Sequence, residues 1–305
     1  MTLIVSDIKE KKFKSALSKL KKIKKSSYER FSVPIIESWL IAEETKNLKK
    51  SNDKLNELEQ DLVINGLRYL NQALLHEHFN KKNKALEYYN KALNSYEKPS
   101  YRTVKIAANA FERNSDFDKA KETYLKFIDN SEDTLLIEND LNRIKKKELP
   151  KKEVNNLDDV IAELFSGIAS TFNSDFTNNF SIIYSHFSLF LKEDFEVSNL
   201  YLAELMENNK RYEYANNLYK KIKPTSNFFW HSKLKTARNL EIMGKSDKSI
   251  PMLKKMINEK EDRYDALKLL GDIYRNNNDF EKAINFYNKS ANLPSSPILN
   301  INKFK

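Results

Sequence analysis

Small residues return along the C-terminal half of this chain at a fixed step of 34. They are Ala169, Ala203, Ala237 and Gly271, and, twelve positions after each, Ser181, Ala215, Ser249 and Ala283. Other positions keep the same phase. Phe172, Met206, Leu240 and Tyr274 stand three after the first column; Ser185, Tyr219, Leu253 and Tyr287 stand four after the second. Spacings of three and four put each set on one face of an α-helix. A small residue on such a face marks a close helix crossing, because it lets the backbones approach while larger neighbours fill the grooves. Two columns twelve apart predict a pair of antiparallel helices per repeat, and a period of this length predicts an array of such pairs.

The N-terminal half follows the same pattern more loosely, since Ala85 and Ala120 are 35 apart. Helical hairpins are expected at roughly 1–26, 35–62, 66–97 and 101–130. Left-handed turn residues are expected at Asn80, Asn114, Asn208, Asn209, Gly244 and Asn276 to Asn278. Pro34, Pro99, Pro224 and Pro294 are expected between units, and Pro251 inside a second helix, where it should distort the first turns. The period breaks over 131–160. TLLIENDLNRIKKKE reads as one extra helix and ELPKKEVNNLDD as a polar loop. The expected division is therefore an N-terminal array over 1–130, an extra helix and linker over 131–157, and a C-terminal array with a short tail over 158–305.

The segment YDALKLLGDIYRNNNDFEKAINFYNKS, residues 264–290, resembles the tetratricopeptide repeat (TPR). Leu267 takes the place of the usual tryptophan; Leu270, Gly271, Tyr274 and Ala283 match, Tyr287 stands for the aromatic, Ser290 for the last small residue, and Pro294 closes the unit. Residues 100–127 are similar through Val104, Ala107, Ala108, Phe111, Ala120 and Tyr124. The second helix of a unit is similar to 84–93, with Ala85, Tyr89 and Ala92, and to 7–23, with Ala16 and Leu20. The layout is similar to that of long bacterial TPR proteins. The resemblance implies an all-α fold, an α-solenoid of stacked antiparallel hairpins in a TPR-like superhelix. If Ala16 lies on a second helix, its partner begins ahead of Met1, so the sequence is expected to be a fragment lacking its N-terminal part or to start from an internal methionine.

Composition narrows the function. The chain has 305 residues, only 4 Gly and 7 Pro, and no Cys, which excludes disulfides, thiolate metal sites and a cysteine nucleophile. No apolar run is long enough to span a bilayer, and MTLIVSDIKEKK does not read as a secretory signal. The expected location is cytoplasmic as the sequence stands, or periplasmic or envelope-associated if the N-terminus is truncated. The net charge of +10 is concentrated early, with KEKKFKSALSKLKKIKK at 9–25. That segment reads as a solvated lysine face on an amphipathic helix carrying Phe13, Ala16, Leu17, Leu20 and Ile23; nucleic acid or an anionic surface are rival partners.

No catalytic or metal constellation is present. His76 and His78 are two apart and point apart on a helix, His186 stands alone, and His231 beside Trp230 reads as an edge aromatic. HExxH, a P-loop, GxGxxG and GxSxG are all missing. The expectation is no enzyme, no cofactor and no metal, with a protein or peptide as partner and the oligomeric state open. The resemblance implies that first helices line a concave groove. One position past the first column stand Ser170, Glu204, Arg238 and Asp272, of which the last three alternate in charge, as either a self-satisfied ladder or a partner-reading strip. Lys105 and Asn109 match the lysine and asparagine places of TPR clamps that grip a C-terminal carboxylate, although Leu70 and Leu74 occupy the equivalent places one unit earlier. The expected groove is Lys105, Asn109, Glu204, Lys235, Arg238, Lys268 and Asp272. The rival to a groove-reading scaffold is a structural or assembly subunit using convex or edge surfaces.

Overall fold

The computed structural model describes residues 1–23, 29–58, 62–129, 134–171, 178–261 and 263–293. Among them every regular element is helical, an all-α helical-repeat fold. Phe172, Pro294 and the tail lie outside the described residues. The chain forms two compact units, Met1–Asn130 with Arg143–Phe195, and Ser131–Asn142 with Glu196–Lys305.

The first unit opens with four hairpins, each pairing a first helix with a second: α1 (Thr2–Lys9) with α2 (Phe13–Leu20), α3 (Glu29–Thr45) with α4 (Leu48–Asn56), α5 (Leu62–His78) with α6 (Lys82–Asn94), and α7 (Tyr101–Arg113) with α8 (Phe117–Asp129). A 3-10 turn, Thr134–Ile137, and the start of the extra helix α9 (Glu138–Lys145) belong to the second unit, and the chain returns to the first at Arg143. Then come α10 (Leu157–Thr171) and α11 (Asn178–Leu191). The helix paired with Ala16 is α1, eight residues long and within the chain. The expected division placed α10 and α11 with the later repeats. Instead α10 packs on α3 and α11 on α1. The 34-residue period records which positions are equivalent; which array a hairpin packs against depends on contacts far apart in sequence.

The second unit holds three hairpins: α12 (Glu196–Asn208) with α13 (Tyr212–Tyr219), α14 (Phe229–Ile242) with α15 (Ser246–Glu259), and α16 (Tyr264–Asn276) with α17 (Phe280–Ala291). All eight small-column residues are buried. Around Ala237 the core collects Leu253, Met256, Ala266, Leu270 and Tyr274, and each fully buried leucine contributes roughly 1.5–3 kcal/mol of transfer free energy. The closeness of the crossing shows at Gly271, where an added Cβ would lie 2.8 Å from the Tyr287 ring. At the crossing in α10 and α11, Ser181 Oγ donates to the Ala169 carbonyl at 3.1 Å, joining the two columns directly.

One turn recurs between first and second helices. Left-handed backbone occurs at Lys46, Asn80 and Ser115, and again at Lys210, Gly244 and Asn278. In the second unit the N–H of the next residue donates back to Met206 O (2.8 Å), Leu240 O (2.8 Å) and Tyr274 O (2.9 Å), the Schellman closure of a helix end. These acceptors are the packed residues three past the small column, so the core fixes where each helix stops. Asn114, Asn208, Asn209, Asn276 and Asn277 are therefore not the left-handed residues; Ser115, Lys210 and Asn278 take the position because the bond count, not side-chain preference, decides it. Pro34 also departs from expectation. It lies buried inside α3 rather than between units, and its missing N–H is offset by packing. Pro251 sits within α15 as expected.

Candidate partner-binding groove

In the second unit, α14 and α16 are neighbouring first helices, and the space between them forms a cavity of about 300 Å3. Its walls are pairs of residues one period apart: His231 with Asp265, Leu234 with Lys268, Lys235 with Leu269, and Arg238 with Asp272, closed by Tyr264. The structure thus brings together Lys235, Arg238, Lys268 and Asp272 of the expected set. It adds His231, Leu234, Tyr264, Asp265 and Leu269. The signal that finds three of these was present in the sequence, because stepping 34 residues from Lys235, Lys268 and His231 lands on Leu269, Leu234 and Asp265.

The acids of this face are already engaged. Glu204 accepts from His231 Nε2 at 3.3 Å, and Glu207 pairs with Lys235 Nζ at 2.9 Å. Asp265 accepts from Trp230 Nε1 at 3.0 Å and pairs with Arg263, whose guanidinium lies 4.9 Å over the Trp230 ring. Asp272 accepts from Tyr287 Oη at 2.7 Å, and burial together with that carboxylate pushes the phenol's pKa up, keeping it a donor. The expected ladder of Glu204, Arg238 and Asp272 is not how these charges pair. Among the described residues, Arg238 and Lys268 are in no ion pair, and both are exposed. The face is therefore left with cationic valence and two flanking leucines.

Lys105 and Asn109 sit elsewhere, in the first unit, under the linker. Asn109 is 1% exposed, and its amide donates to Lys151 O at 2.8 Å while its carbonyl accepts from Arg113. Lys105 Nζ lies 3.8 Å from Glu153. Arg102 forks to Glu163 and Glu153, Lys152 and Arg113 converge on Glu77, and Lys192 reaches Glu153 O at 3.2 Å. The first helices α5 and α7 thus hold Lys151, Lys152, Glu153 and Glu163 of the same chain where a clamp would hold a partner. This corrects the clamp reading: acids 51 and 61 residues from Arg102 fill the place.

The early lysines are largely spoken for. Lys9 donates to Leu191 O at 2.8 Å, Lys11 pairs with Asp158 at 3.1 Å, Lys14 with Glu44 at 3.4 Å, and Lys19 with Asp7 at 2.5 Å. The hydrogen bond from Lys19 holds Asp7 below its ordinary pKa. Lys24 and Lys25 lie outside the described residues. His76 Nδ1 donates to Gln72 O at 2.8 Å, and His78 faces Glu43 at 3.7 Å. Among the described residues no cluster of His and acids could hold a metal ion, and no helix is long and apolar enough to cross a membrane.

Residues 68–99 and 264–296 match the family model of the tetratricopeptide repeat. No curated protein matches the chain. Among solved structures it is similar to MamA, at 15% identity over 60% of this chain and 92% of that one, with a TM-score of 0.38. It is similar to a tetratricopeptide repeat protein from Parabacteroides merdae, at 14% identity over 90% and 97%, TM-score 0.36. A third is YrrB, described as a TPR protein with an unusual peptide-binding site, at 15% identity over 72% and 95%, TM-score 0.32.

Proposed function

On the premise that this chain is a tetratricopeptide-repeat protein, we propose that it is a non-catalytic scaffold whose second unit captures a carboxylate-bearing protein segment in the groove between α14 and α16. One observation carries the reading. The acids Glu204, Glu207, Asp265 and Asp272 each have an internal partner, whereas Arg238 and Lys268 have none among the described residues. A partner bringing carboxylates gains charge-assisted hydrogen bonds from these two cations, and Leu234 and Leu269 beside them cover its apolar carbons. The preformed helices lower the ordering cost on the protein side.

The test is affinity capture on immobilised chain from native lysate, with Arg238→Glu, Lys268→Glu as the changed groove and Lys105→Glu, already occupied internally, as the comparison. A protein held by wild type and by Lys105→Glu but lost from the groove variant is the expected outcome. Equal retention by all three would remove the groove as the binding face.

A further inference from the structure

The opposite side of α14 carries a second and larger cavity, about 500 Å3, between α13, α14 and α15. Its lining residues on α14, including Phe229, Lys233, Thr236 and Leu240, form one face of the helix, and the groove residues His231, Lys235 and Arg238 form the opposite one. The two cavities therefore share a helix and no lining residue. The floor is apolar, made by Ile222, Phe229, Leu240, Met243 and Met252. Thioether side chains repack around different apolar anchors at little cost, which suits a docking floor. The rim is cationic, made by Lys220, Lys233, Lys245 and Lys248, with Glu213 as its single carboxylate. Lys233 Nζ stands 5.2 Å over the Phe229 ring. Among the described residues Lys220, Lys245 and Lys248 are in no ion pair.

We infer that this cavity is a second docking site, for an acidic amphipathic peptide segment that inserts a leucine or phenylalanine between carboxylates. The size is that of an ordinary ligand pocket rather than a surface dimple. Four ammonium groups against one carboxylate set the sign of the partner. An apolar floor beneath them requires the partner to bring an apolar anchor between its acids, the pattern of a helix or strand laid in a groove. Nucleic acid fits less well. The lining has no arginine, and its phenylalanine is already covered by Lys233, so no stacking platform faces outward. The site stands apart from the groove proposal and is tested apart from it.

The chain has five methionines, and two of them report this floor. Full-length chain with 13C-methyl methionine is titrated with the amidated peptide acetyl-Glu-Glu-Leu-Phe-Glu-Glu-Leu, with the same peptide carrying Lys for Glu, and with oligothymidylate. Saturating shifts at Met243 and Met252, with Met206 and Met256 unmoved, are expected for the acidic peptide alone. Lys220→Glu, Lys248→Glu should weaken its affinity at least 10-fold, and Arg238→Glu, Lys268→Glu should leave it within 2-fold. Unmoved Met206 and Met256 signals show that each variant is folded. No shift at Met243 and Met252, loss in the groove variant instead, or equal response to the basic peptide or the oligonucleotide would overturn the site.

Discussion

Replacing Ala237 by leucine puts the crossing of α14 under direct load. Ala237 is 0% exposed and packs with Leu253, also 0%, and Met256, 5%. Leucine adds three carbons where the close approach of two helices leaves no gap, and overpacking of this kind costs about 1–3 kcal/mol. At ~2 kcal/mol the folded-to-unfolded ratio falls about 30-fold. With a urea slope of about 2 kcal/mol/M the midpoint for the second unit drops by about 1 M. The neighbouring residue is the control: Arg238 is exposed on the groove, and Arg238→Glu should change stability by no more than about 0.5 kcal/mol. Urea unfolding followed by circular dichroism and by Trp230 fluorescence measures both. A midpoint for Ala237→Leu within error of wild type, or a larger loss for Arg238→Glu, would refute the crossing geometry and with it the placement of Arg238 in the groove.

Arg102→Ala leaves Glu163 partly buried without its cation, while Glu153 keeps Lys105, so the first unit should lose about 3 kcal/mol; a loss under about 1 kcal/mol in urea unfolding would mean Glu163 is solvated. Lys210→Gly removes a side chain held at φ 58 and should raise stability by up to about 1 kcal/mol; a lower melting temperature would show that the turn does not set the strain. Burial lowers the pKa of His78, despite Glu43, and that of His186, both below 6.5. Protons then bind the unfolded chain first, so the stability from their neutral forms is full above about 6.5 and drains as pH falls through that value. Melting should occur at lower temperature at pH 5.5 than at 7.5, and His78→Gln, His186→Gln should narrow the gap; an unchanged gap in the double variant would refute the assignment.

The repeat was legible because a helix crossing limits side-chain volume, and volume can be read residue by residue. All of Ala169, Ala203, Ala237 and Gly271 are buried where the period puts them. The groove residues Lys235, Arg238, Lys268 and Asp272 converge for the same reason: positions one period apart on successive first helices become neighbours. What stayed hidden is non-local. Nothing near Lys105 or Asn109 announces that Lys151 and Glu153 will cover them. The turns failed differently. Asparagine preference pointed to Asn114 and Asn209, but the helix stops are counted from the packed Phe111 and Met206, and the count falls on Ser115 and Lys210. Pro34 was misplaced because a side-chain rule was applied where burial outweighs one lost hydrogen bond.

The ion pairs of Arg102 also set a timetable. A ribosome adds about 5–20 residues per second. Glu153 and Glu163 come 51 and 61 residues after the arginine they neutralise, so the guanidinium waits about 3–12 s for them. During that interval α1 and α3 of the nascent chain await α11 and α10, the hairpin that packs on them and completes their unit. The newborn protein therefore passes through a stage with a bare N-terminal face. Chaperone dependence during synthesis should belong to that stage and end once residue 195 has cleared the exit tunnel.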